Sequence, residues 1–65
     1  MSKSNKIWLD VEIRHLTASA VLVHNGDREA WIPLSQVLDH EDDLEVGAEI
    51  KIEISEWIAL AKDLI

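Results

Sequence analysis

Two stretches of strict alternation constrain this chain before anything else does. Over 6–15, Ile7, Leu9, Val11 and Ile13 alternate with Trp8, Asp10, Glu12 and Arg14; over 49–54, Ile50, Ile52 and Ile54 alternate with Glu49, Lys51 and Glu53. A period of two sends the two sets to opposite sides of an extended chain, so both stretches are predicted strands with one face in a core and one in water. Such strands need a common apolar layer to cover. The chain must make that layer from 65 residues and no cysteine, so no disulfide and no thiolate metal site supplements the core. An apolar content of 48%, with three tryptophans, suffices for one small domain over 1–65.

The segments between follow from turn chemistry. Small and β-branched residues over 18–24 lead into Asn25-Gly26-Asp27, and Asn-Gly tolerates positive φ at both central positions of a tight turn. A hairpin with strands over 18–24 and 28–32 is predicted. Pro33 has no N–H for a ladder and ends the third strand, after which Leu34 to Leu38 reads as a short helical turn capped by Ser35. The acids of 39–45 repel one another and predict a solvated loop, and Gly47 marks a turn before the fourth strand. Ser55 is placed to cap a final helix running to about Leu64, with Glu56 on its positive end. On a helical wheel Trp57, Leu60, Ala61 and Leu64, flanked by Ile58, form a stripe that would lie on the sheet, with Glu56, Ala59, Lys62 and Asp63 opposite. Trp57 and Trp31 are expected inside, and Trp8, on the polar side of strand one, outside. The expected fold is α+β: a strongly bent antiparallel four-stranded sheet, open and small-barrel-like, with a short helical turn and a C-terminal helix packed on it.

Charge is segregated. Asp39, Glu41, Asp42, Asp43, Glu45, Glu49, Glu53 and Glu56 face a single base, Lys51, within 39–56, a net charge of −7, while the remainder carries five acids and five bases. A localised field of this sign steers association with cationic partners and repels phosphates, which excludes direct binding of nucleic acid or of an anionic membrane surface. No apolar run is long enough for a membrane span, and the polar opening Met1 to Lys6 lacks the apolar core of a signal peptide. A cytoplasmic protein is expected.

Enzyme chemistry finds no constellation to use. His15, His24 and His40 show no spacing of a triad or of a helical metal pair, and Asp39-His40-Glu41-Asp42-Asp43 lacks the glycine and ligand spacing of a calcium loop. Neither catalysis, nor a cofactor, nor a metal is expected. A binding role is. Glu49 and Glu53 lie roughly 13 Å apart along a strand at about 3.3 Å per residue, near the span of two backbone phosphate steps. The eight acids are therefore the predicted partner-binding residues, with Asp42, Asp43 and Glu45 meeting arginines in bidentate pairs and Glu49, Glu53 and Glu56 extending the track. The competing reading is a solvated acidic face kept for solubility.

Two resemblances bear on these expectations. Trp31-Ile32-Pro33-Leu34-Ser35-Gln36-Val37, followed by Val46-Gly47 and an isoleucine-rich strand, is similar to the layout of small RNA-binding barrels of the oligonucleotide-binding type, a likeness that implies fold alone because their stacking aromatics and basic groove are missing here. The same stretch with Ile54-Ser55-Glu56-Trp57-Ile58-Ala59-Leu60-Ala61 resembles small proteins of bacteriophages and mobile elements, and in size and charge the chain resembles type I anti-CRISPR inhibitors that imitate DNA. That resemblance implies a monomer whose acids occupy the basic nucleic-acid-binding groove of a host CRISPR surveillance complex. The alternative it leaves is a phage accessory or structural module acting through protein–protein contacts at Trp8.

Overall fold

The computed structural model of the protein describes residues 5–65. Strands β1 (Lys6–Leu16), β2 (Ala20–His24), β3 (Glu29–Pro33), β4 (Val37–His40) and β5 (Glu49–Ser55) precede one helix, α1 (Glu56–Ala61), and a 3-10 turn, Leu34–Gln36, joins β3 to β4. All pairs are antiparallel and the order is β3-β2-β1-β5-β4. The expected four-stranded α+β fold is thereby corrected to a mainly β architecture, a five-stranded open sheet with one short helix. The added strand is β4. Its sequence reads as the end of a helical turn followed by an acidic loop, yet Val37 pairs with Ile54 and Asp39 with Glu53. Backbone bonds to β5 draw Asp39 and His40 into the edge strand, while 41–45 form the irregular acidic connection expected, with Glu41, Asp42, Asp43 and Glu45 exposed.

The alternation of β1 and β5 acts as expected. Pairs from Lys6↔Ser55 to Glu12↔Glu49 put Val11 and Ile13 beside Ile50, Ile52 and Ile54 on the inner face, and Val21, Val23 and Ile32 of the hairpin complete it. Ile13, Ile32, Ile52, Ile54, Val21 and Val23 have no exposure above 2%. Ile58, Ala59 and Leu64 join that core, and partly buried Leu34, Val37, Leu44 and Ala48 pack against it. Bulges at Arg14 on β1 and Leu38 on β4 each insert an extra residue, a feature that bends a strand locally.

The hairpin turn forms by a different device from the one expected. Gly26 has a φ of 98°, whereas Asn25 keeps a negative φ and acts through its side chain. Asn25 Oδ1 accepts from the amides of Asp27 (2.9 Å) and Arg28 (2.8 Å), closing an Asx turn, and Asn25 Nδ2 donates to the carbonyl of Leu64 at 3.1 Å. The hairpin thus latches the end of the chain.

The helix departs most from its wheel. Trp57 and Leu60 are each 59% exposed, and Ile58, Ala59 and Leu64 are the buried ones. The expected stripe assumed helix as far as Leu64, but the helix stops at Ala61. Asp63 takes a φ of 62°, its amide donates to Leu60 O (3.1 Å) and that of Leu64 to Ala59 O (2.8 Å). This is a Schellman closure, which folds the residue after the left-handed position back against the helix, so Leu64 enters the core through the turn. Neither expected serine cap forms: Ser55 stands at the N-cap without a side-chain bond, and the 3-10 turn starts from Pro33, also without one. Trp31, expected inside, is exposed on the outer face beside His15.

Candidate functional site

The outer face of the sheet follows from the register. Trp8, Asp10 and Glu12 on β1 stand opposite Glu53, Lys51 and Glu49 on β5, and Asp39 on β4 stands on the other side of Glu53. Two like-charged pairs result, Glu12↔Glu49 and Asp39↔Glu53, an arrangement that costs stability where the charges are directly opposed. Sequence alone had singled out Glu49, Glu53 and Asp39 but not Glu12, because only the pairing of β1 with β5 makes Glu12 their neighbour.

The other predicted acids lie elsewhere. Glu41, just past β4, accepts the Lys51 amide at its Oε1 (3.2 Å) and sends its own amide to the Lys51 carbonyl (2.9 Å), continuing the edge pairing by one residue. Asp42, Asp43 and Glu45 lie exposed in the connection from β4 to β5. That connection is anchored at both ends: His40 Nδ1 meets the Asp42 carbonyl at 2.7 Å, and the Gly47 amide donates to the Ile13 carbonyl at 2.7 Å. Glu56 opens α1, where its amide donates to Asn5 O (2.8 Å) and its Oε1 accepts from Asn5 Nδ2 (3.2 Å). The eight acids thus occupy the sheet face, one sheet edge, a loop and a helix start.

What unites them is that none has an ion pair among the described residues. The salt bridges among the described residues are Arg14 with Glu12 (2.9 Å) and Glu29 (3.3 Å), Arg28 with Asp63 (3.1 Å), and Lys51 with Asp10 (2.8 Å). Every acid in them lies outside 39–56. Even Lys51, the one base of the acidic segment, is turned to Asp10. That hydrogen bond, with the Asp10 charge and a smaller contribution from Glu41, raises the Lys51 ammonium above its ordinary value. A cleft of about 390 Å³ between the hairpin turn and the β1–β5 pair is lined by Asp10, Glu12, His24 and Glu49. Among the described residues no three His, Asp or Glu side chains are grouped to hold a metal ion, and no helix is long and apolar enough to cross a membrane.

Comparison with protein-family models, with characterised proteins and with solved structures finds no match. The functional reading therefore rests on the residues and their arrangement.

Proposed function

We propose that this chain is an inhibitory binding protein that occupies the basic, nucleic-acid-binding groove of another protein, with the surveillance complex of a CRISPR system as the partner class. The observation that supports it is the partition of salt bridges: folding pairs Asp10, Glu12, Glu29 and Asp63, four of the five acids outside the acidic segment, and leaves Asp39, Glu41, Asp42, Asp43, Glu45, Glu49, Glu53 and Glu56 without an ion pair among the described residues. Uncompensated carboxylates on an ordered surface retain their full attraction for a cationic groove and contribute most to the rate of encounter. No catalytic step is part of this reading.

The test is a gel shift of target DNA with a purified type I surveillance complex, the protein being added before or after the DNA at low and moderate salt. Loss of the shifted band only on prior addition, weakening as salt rises, is the expected result. An unchanged band overturns competition for the DNA site in that system. The double variant Asp42→Lys, Asp43→Lys should lose most of the inhibition, and inhibition equal to the parent's would sink the electrostatic mimicry.

A second reading, an accessory module acting through apolar protein–protein contacts, is favoured by the exposure of all three tryptophans: 47% at Trp8, 42% at Trp31 and 59% at Trp57. It predicts an assembly that persists at high salt, visible by light scattering, because apolar contacts are not screened.

A further inference from the structure

The outer face of the sheet carries one row with a chemistry distinct from that of the loop acids. Trp8 on β1, Glu53 on β5 and Asp39 on β4 follow one another across three adjacent strands, a register that holds opposed Cβ atoms about 5 Å apart. Trp8 is exposed, and neither carboxylate has an ion pair among the described residues. The cation next to Glu53 along β5, Lys51, is engaged by Asp10.

An indole beside two uncompensated carboxylates is complementary to one kind of cation in particular. A guanidinium stacks its flat face on an aromatic ring and offers paired edge N–H groups to a carboxylate, whereas an ammonium is a compact, strongly hydrated point charge. We propose that the Trp8–Glu53–Asp39 row docks an arginine of the partner protein, so that this surface selects arginine-rich over lysine-rich cationic surfaces. The inference rests on the partner surface being cationic, as the proposed function holds, and does not require that surface to be a DNA groove. The other tryptophans lack the arrangement. Trp31 stands opposite Leu22 and meets the His15 ring edge-to-face at 5.8 Å, and Trp57 lies on α1 outside the register of the sheet.

The experiment is fluorescence anisotropy with labelled arginine and lysine homopeptides of equal length, titrated with the full chain at moderate salt. The parent should bind the arginine peptide about two- to fivefold more tightly, the range of an exposed cation–π contact. Trp8→Ala should reduce the preference to the part that carboxylate pairing supplies, and Trp31→Ala should keep it whole. Glu53→Gln should weaken binding of both peptides. Trp8→Phe, which retains an aromatic face, should keep part of the preference and separates loss of stacking from loss of folding. Equal affinity of the parent for the two peptides, no binding of either, or a preference undiminished by Trp8→Ala overturns the inference. Intact arginine selectivity with no effect on DNA binding would overturn the proposed function alone; inhibition of DNA binding with no selectivity would overturn this inference alone.

Discussion

Ser55 shows how a residue can satisfy a sequence rule and still not use it. It occupies the N-cap of α1, but its hydroxyl is buried without a hydrogen-bond partner, while the Glu56 amide finds its acceptor in Asn5 instead. A serine that capped would cost about 0.5–2 kcal/mol on truncation to alanine. An unpartnered buried hydroxyl has the opposite sign, because removing it relieves a desolvation cost. Ser55→Ala should therefore leave the thermal midpoint unchanged or raise it, and a clear fall would show that the hydroxyl is bonded in solution. Lys51 carries a pH signature. Its raised pKa means that the pairing with Asp10 stabilises the fold fully below the unfolded value of 10.5 and that this contribution fades as pH climbs through the higher folded value. Urea midpoints of the parent and of Lys51→Met should therefore differ at neutral pH and converge in strong alkali. At this scale the sequence was legible where alternation governs and obscure where a residue has two uses. Ile13, Ile52 and Ile54 were readable as core from period two alone, whereas the Asn25 side chain, which builds the hairpin turn and holds Leu64, looks from its sequence like a simple carrier of positive φ.

Among the elements, β4 and α1 show why short segments resist reading. A four-residue strand has too few positions to display a period, and its identity comes from Ile54, Glu53 and Ile52 on the neighbouring strand, residues far along the chain. β4 holds a single acid, Asp39, so the repulsion that predicts a loop acts beyond it, over 41–45. Pairing sets Asp39 opposite Glu53, so Glu53→Lys should stabilise the fold by about 0.2–1 kcal/mol, as expected for a like-charged cross-strand pair turned into an opposite one. Chemical denaturation checks it. The same variant should weaken binding to a cationic partner, which makes Glu53 a position where stability and binding pull apart. For α1 the wheel failed because six residues do not fix an orientation: the Schellman turn, not helical periodicity, delivers Leu64 to the core, and the small Ala59 allows close approach to the sheet. The candidate site was legible as a list of acids, while the placement of Glu12 and Trp8 among them depends on a strand register that no local pattern displays.

For the whole molecule, a net charge of −7 on 65 residues works against compactness as much as it favours encounter with cations. Added sodium chloride should raise the denaturation midpoint by screening the uncompensated acids, even as it weakens binding to any cationic groove. A midpoint that falls with salt would mean that the salt bridges seen among the described residues outweigh the repulsion of the acidic segment. The central strand has a further consequence, one that concerns time. One edge of β1 pairs with β2, which follows it at once in the chain, and the other with β5, where Lys6 must find Ser55. The β1–β2–β3 meander joins residues close in sequence, whereas the inner face is completed only when β5 meets β1 through pairs such as Glu12↔Glu49 and Lys6↔Ser55. Closure of the core therefore waits on the longest-range pairing of the sheet, and that pairing sets the pace of folding.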